Sequence, residues 1–406
     1  MSVARPPVLL LGSGLTVLGT LRLLHNAGYA PLVLQGDAGI AARSSRYRAA
    51  PASSATGSAQ DDLPAYLAGL PLDRAVLLPC SDAWVRCVAR CADRVADRFP
   101  SSVSAASVLD RLVDKWHLSL LMRDLQLPHP RTINLEAGQS LNASEPLPME
   151  RAFIKPHDSA PFFAAFGVKG IRVESREDLG RQLERIAPTG LSVQLQEYVP
   201  GPANHHFYVE GFIDREGRLV ALFVRQRLRM YPLDFGNSTL FASVTPAAAP
   251  DAVETVTRLL AHVNFRGIFS VELKRDARDG LCKLIDINAR PWWYIEFAGQ
   301  CGVNLCDLYV RDALGEVCAP VRDYTVGRRC VYPYYDYHAC RALRANGTLT
   351  VAGWARSWLT ATQPVFRWSD PRPALAETAL LLKGRLRRLT SRSAHLPAAR
   401  AGVPVP

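Results

Sequence analysis

Four residues late in the chain have types and spacing that specify chemistry directly. Asp286, Asn288 and Arg290 fall two residues apart in Leu281-Cys-Lys-Leu-Ile-Asp-Ile-Asn-Ala-Arg-Pro-Trp-Trp293, and a strand ending there points all three to one face because strand side chains alternate. The turn signal Asp276-Ala-Arg-Asp-Gly280 would fold Ile268–Lys274 back on Leu281–Asn288 as a hairpin and bring Glu272 beside Asp286. Two carboxylates and an amide oxygen are hard oxygen ligands suited to Mg²⁺, and an arginine at the rim can meet a phosphate or carboxylate bidentately. The plain alternative is a surface hairpin whose charges are solvated.

Two other sets of cations fit an anionic ligand. Phe153-Ile-Lys-Pro156 and Val168-Lys-Gly-Ile-Arg-Val173 read as strands ending in Lys155 and carrying Lys169, with Asp158–Gly167 as a loop between them; two such lysines would clamp a polyphosphate or, taken by themselves, stand solvated at strand edges. Arg225, Arg227 and Arg229 alternate along a strand, which places three guanidiniums on one face.

The elements that must position these groups are legible in outline. Val8–Leu11, a Gly12/Gly14 turn, a helix through Asn26 and a strand at Leu32–Leu34 make a βαβ start to a parallel sheet. The glycines permit a bound dinucleotide, but Gln35 stands where an acidic ribose partner is expected, with Asp37 close by, so a structural role is preferred. Ala75–Leu78 continues the sheet, and Ser81 or Asp82 caps the next helix at the sheet edge where α/β sites form. Asp114-Lys-Trp opens a helix ending near Leu125, Ser175-Arg-Glu-Asp178 is a capping box, and Phe207–Asp214, Leu219–Arg229 and Thr239–Val244 supply a larger sheet. Asp251–Val263 and Gly302–Leu314 read as helices on either side of the hairpin.

With 406 residues, 48% of them hydrophobic, two or three structural units are expected. No apolar run reaches the roughly 20 residues of a membrane span. The nine scattered cysteines form neither a disulfide framework nor a four-ligand zinc spacing, and reduced thiols in the cytoplasm are expected.

About half of the +11 charge falls between Arg367 and Pro406, where eight Lys/Arg stand against Asp370 and Glu377. That basic run lacks the interleaved aromatics of a nucleic-acid stacking platform. Within it, Leu375, Ala379, Leu382, Leu386 and Leu389 fall at helical spacing among Lys383, Arg385, Arg387 and Arg388. Such a helix can lie on an anionic membrane or dock its apolar stripe on the protein, and docking is the expectation.

The order of these parts resembles the ATP-grasp superfamily over roughly residues 8 to 315. Asp114-Lys-Trp with Leu127-Pro-His-Pro-Arg-Thr132 is similar to its entry helix, Lys155 and Lys169 to its nucleotide lysines, and Gln196-Glu-Tyr-Val-Pro-Gly201 to the hinge that holds adenine and ribose. Glu272 with Asp286-Ile-Asn-Ala-Arg290 is similar to its metal-and-phosphate motif, with Asp286 in place of the usual glutamate. The segments Arg225–Gly236, Val271–Asp276 and Asn288–Trp292 resemble the carboxylate–amine ligase branch that includes D-aspartate ligases. The phosphate-covering loop departs from the family, since His157–Gly167 has Gly167 as its single glycine and Ser159 with backbone amides would do that work.

The resemblance implies a mixed α/β and α+β fold. A Rossmann-like pre-ATP-grasp domain (1–110) would precede a small lobe with the nucleotide lysines (111–190), a large lobe with the metal and substrate site (191–320) and a C-terminal extension (321–406). It implies ATP and Mg²⁺, or Mn²⁺ in its place, and ligation of a carboxylic acid to an amine through an acyl phosphate. Lys115, Lys155, Lys169, Gln196, Glu197, Tyr198, Val199 and His205 would hold the nucleotide, and Glu272, Asp286 and Asn288 the metal. Arg290, Arg227 and Arg225 would serve catalysis, and Trp292, Trp293 and Tyr294 could line the acceptor pocket, with core packing an equal role for one of the tryptophans. A regulatory nucleotide-binding module and a bicarbonate-using carboxylase are the other readings. Nucleic acid is not an expected partner, and a homodimer is allowed.

Overall fold

Val8–Leu11, Pro31–Val33 and Val76–Pro79 are apolar and buried along their whole lengths, the pattern of strands covered on both faces. They form a parallel sheet with Val8–Leu11 in the centre. This computed structural model describes residues 5–34, 39–48, 60–139, 152–157, 159–168, 170–233 and 236–391. Lys169, Gln35 and Asp37 lie outside the described residues, as do the side chains of Ser159, Arg385, Leu386, Arg387, Arg388 and Leu389. The Gly12 turn has a packing reason, because a Cβ there would sit 3.1 Å from the Cys80 Cβ at the end of the neighbouring strand.

A four-stranded antiparallel sheet follows, in the order Thr132–Leu135, Val193–Glu197, Ala152–Pro156, Ile171–Val173. The expected loop at 158–167 is instead the helix Ser159–Phe166. Alanines favour it, Pro161 falls in the first turn where its missing N–H costs little, and Phe162 anchors it in a core with Ile154, Val173 and Leu195. The second lysine strand is correspondingly shorter than expected, Ile171–Val173.

The seven-stranded sheet carries the hairpin at one edge. Its order is Cys282–Asn288, Gly267–Arg275, His206–Ile213, Leu219–Tyr231, Asn237–Val244, Arg329–Val331, Ala361–Thr362. One face packs on the helix Pro250–His262 through Val256, Leu259, Phe269 and Leu273. The other shares a core with the N-terminal sheet, where Leu10, Leu18 and Leu21 join Phe212, Phe223, Trp292 and Phe297. Trp292 and Tyr294, expected near an acceptor pocket, are therefore core residues, and the Tyr294 hydroxyl donates to the Ser238 carbonyl at 2.7 Å. Trp293 is half-buried against them.

Beyond residue 320 the chain adds the last two strands of this sheet, with Ala361–Thr362 at its edge, and the helices Pro333–Ala345, Val351–Trp358 and Arg372–Ser391. Asp336 fixes the first of these to the sheet. Its carboxylate is fully buried and accepts from Arg229 at 2.9 and 2.8 Å, from the Thr239 hydroxyl at 2.7 Å, and from the indole N–H groups of Trp354 and Trp358, both at 2.8 Å. The last helix does not dock the expected stripe: Leu375, Ala379 and Leu382 are exposed, and Ala374 packs on the core instead. Among the described residues no helix is long and apolar enough to cross a membrane.

Removing one partner of a buried ion pair strands the other charge away from water. Asp336→Ala should lower the unfolding free energy by about 3–5 kcal/mol by orphaning Arg229, read as a shifted midpoint in denaturant titration; an unchanged midpoint would show that the node holds nothing.

Candidate active site

The hairpin forms in the expected register. Gly267–Arg275 pairs with Cys282–Asn288 so that Glu272 lies opposite Asp286 and Ser270 opposite Asn288. A bulge beside Glu272 leaves Ile285 as the extra residue, since the next pair is Leu273 with Leu284. Beyond it Ile287 and Ala289 point into the core, while Asp286, Asn288 and Arg290 are partly exposed. Neither the Asp286 nor the Asn288 side chain hydrogen-bonds another described residue. Hard oxygen donors on one face, two of them unsatisfied, fit a divalent cation.

Glu272 is more constrained. Its Oε1 lies 2.9 Å from His206 Nδ1 and accepts from Arg227 Nη2 at 3.0 Å. Burial opposes its ionisation, but Arg227 and His206 outweigh that and hold the carboxyl well below the usual range. His206 is itself pushed down to about 4 by burial and by Arg227, so it is neutral near pH 7. Burial raises the Asp286 carboxyl, against the attraction of Lys115 and Lys155.

The three strand arginines share a face but do not form one anion-binding row. Each is buried against its own carboxylate: Arg225 on Glu210 at 2.8 Å, Arg227 on Glu272, Arg229 on Asp336. Arg225 also stacks on the Tyr208 ring, with its guanidinium carbon 3.6 Å from the centroid. That packing commits Arg229 to its carboxylate, holds Arg225 by its Nε with Nη1 left without a hydrogen-bond partner among the described residues, and leaves Arg227 beside the hairpin. The carboxylates come from strands and a helix far apart in sequence, so spacing could not disclose them.

Arg290 meets an unexpected partner. Its Nε and Nη2 donate to the two oxygens of Asp82 at 3.0 and 2.9 Å, and Nη1 donates to the Pro291 carbonyl at 2.9 Å. Three of its five N–H donors are thus used. Asp82 is not the cap of its helix: Ser81 accepts from Trp84 N and does that, which leaves Asp82 at the sheet edge to pair.

Lys115 opens the helix Lys115–Asp124, and Lys155 closes its strand with Nζ donating to Gln196 Oε1. Burial pushes the Lys155 ammonium down to about 8, opposed by Asp286 and reinforced by Lys115. The hinge side chains are largely committed. Gln196 also donates to the Thr132 hydroxyl, Glu197 pairs with Arg278 at 3.3 Å and Lys283 at 3.5 Å, and His205 Nδ1 lies 3.0 Å from the Arg275 carbonyl. Val199 is buried and the Lys274 ammonium sits 4.6 Å above the Tyr198 ring. A ligand at this hinge would meet backbone groups before side chains.

No family model matches the chain. The D-aspartate ligase of Enterococcus faecium (strain Aus0004) is 22% identical over 247 residues, and the match covers 58% of this chain and 58% of that protein, less than two thirds of its length. Among solved structures, the L-amino acid ligase from Bacillus licheniformis superposes with a TM-score of 0.60 at 12% identity, covering 81% of this chain and 80% of that one. The ADP complex of purK, an N5-carboxyaminoimidazole ribonucleotide synthetase, gives 0.59 at 13% identity over 81% and 82%. Biotin carboxylase from Campylobacter jejuni gives 0.57 at 16% identity over 80% and 74%. The chain has the ATP-grasp fold of these proteins, with a stretch of sequence similar to D-aspartate ligase.

Proposed function

We propose that this chain is an ATP-dependent carboxylate–amine ligase that joins an amino-acid-like acid and amine and releases ADP and phosphate. The observation that carries the reading is Glu272 paired with Asp286 on one hairpin, with Asn288 at the end of the same strand, Arg290 just after it, and the charges of Lys115, Lys155 and Arg290 coupled to Asp286. A carboxylate is a poor electrophile, and phosphorylation supplies its leaving group. Phosphoryl transfer needs positioning and charge neutralisation more than a side-chain nucleophile.

Glu272, Asp286 and Asn288 would hold Mg²⁺, with Mn²⁺ as an alternative, which when bound neutralises phosphate charge. Lys115, Lys155 and Lys169 would take phosphate oxygens, and the backbone at Glu197–Val199 the base. Arg290 would use its two remaining donors on the acyl phosphate and the tetrahedral oxyanion, its plane set by Asp82. Arg227 fixes Glu272 and keeps its carboxylate ionised. The small lobe (111–190) and large lobe (191–320) would close on the nucleotide, with 1–110 and 321–406 bracing the large lobe.

ADP release measured over a grid of acids and amines that includes D-aspartate tests the reading: release that needs both an acid and an amine supports it. Release with bicarbonate alone would indicate a carboxylase, and none with any pair a nucleotide-binding module. Asn288→Ala should lower turnover about a hundredfold or more with the fold intact, and Glu272→Gln should do the same in the fraction that folds, since it removes the counter-charge of Arg227; near-normal rates at saturating Mg²⁺ would remove the metal assignment.

Lys155 gives a pH signature. Its ordinary value is 10.5 and its folded value about 8, so above pH 8 the free protein holds it neutral. A bound phosphate favours the charged form. Nucleotide binding near pH 8.5 should therefore take up a proton, seen as a calorimetric enthalpy that depends on the buffer and loses that dependence in Lys155→Ala; buffer-independent enthalpy in the parent would contradict the assignment.

A further inference from the structure

The helix Arg372–Ser391 rests on the protein through its first turns, while Leu375, Leu380 and Leu382 are exposed. Pro373 is buried, Ala374 packs on the core, and Glu377 accepts from the Tyr332 hydroxyl at 3.3 Å. Leu375 and Leu382 are seven residues apart, nearly in line on a helix, and are 67% and 54% exposed. Ala379 between them is also exposed, and Trp368, just before the helix, is 90% exposed. A surface helix ordinarily turns such a stripe toward the core, so an outward stripe needs another apolar surface to cover it.

The same surface is cationic. A cavity of about 520 Å³ between this helix and the helix Gly39–Ser44 is lined by Arg43, Arg46, Arg48 and Arg372, with Ser44, Ser45 and Leu375, and by no acidic side chain among the described residues. Asp370 holds it together from beneath: it accepts from the Ser45 hydroxyl at 2.7 Å, from Arg46 N at 3.0 Å and from the buried Arg22 at 3.2 Å. Leu375 therefore belongs at once to the apolar stripe and to the arginine cavity, and Lys383 is exposed further along the helix.

We propose that this face docks on an anionic lipid surface, with the helix lying in the interface, the leucines and Trp368 entering the acyl boundary and the arginines meeting lipid phosphates. Charge complementarity selects that occupant. A second copy would bring its own arginines against these, whereas anionic headgroups neutralise them while the acyl region covers the leucines. Arginine forks also suit phosphate geometry, and the helix is too polar to span.

Sedimentation of the full chain with sucrose-loaded vesicles tests this. Vesicles containing phosphatidylglycerol should bind it and pure phosphatidylcholine should not, with binding weakened as salt rises. Arg46→Gln and Arg372→Gln should each weaken partitioning about fivefold, and Leu375→Ser with Leu382→Ser about tenfold or more. All these positions are exposed, and an unchanged melting temperature confirms the fold. Absence of binding to phosphatidylglycerol at low salt, or variants that bind like the parent, overturns the proposal. A concentration-dependent dimer in sedimentation velocity that the leucine variants abolish would assign the face to a second copy instead.

Discussion

Three guanidiniums on one face of one strand set the terms for the structure around them. A buried charge is tolerable only when paired, and Arg225, Arg227 and Arg229 are each matched by a carboxylate from a different part of the chain. Glu210 stands on the adjacent strand, Glu272 on the hairpin, and Asp336 on a helix of the C-terminal extension. The strand Leu219–Tyr231 thereby ties the sheet interior, the candidate site and the C-terminal extension into one arrangement.

The middle pair couples that arrangement to chemistry. Arg227 and His206 act on one oxygen of Glu272, so the protein itself orients and ionises the carboxylate. Asp286 across the ladder lacks such hydrogen-bond partners among the described residues, and burial raises its carboxyl and lowers the Lys155 ammonium against the attraction of each for the other. Charges so far withdrawn from water are unlike those of a solvated surface hairpin.

Arg290 extends the coupling to the N-terminal sheet. Ligand sites in open α/β sheets gather at the carboxyl ends of the strands, and Asp82 follows the strand Val76–Pro79 at that edge. Its bidentate pair with Arg290 means that the N-terminal unit fixes the plane of a guanidinium that sits on the far hairpin. The shared core of Leu18, Phe223 and Phe297 keeps the two units in that relation.

Local rules made the hairpin legible. Period-two spacing and a five-residue turn signal were enough to pair Glu272 with Asp286 and to aim Asn288 and Arg290 the same way, because register and side-chain direction are properties of neighbouring residues. Strands, most helices and the capping Ser175 followed from the same short-range physics. The sequence did not disclose which groups neutralise which: Asp82 for Arg290, Glu210 for Arg225 and Asp336 for Arg229 are separations of 208, 15 and 107 residues. Nor did periodicity decide which side of the last helix faces inward, since an apolar stripe is the same stripe whether protein or lipid covers it. Desolvation and ion pairing depend on what the whole chain brings together, so they were decided by the tertiary structure alone.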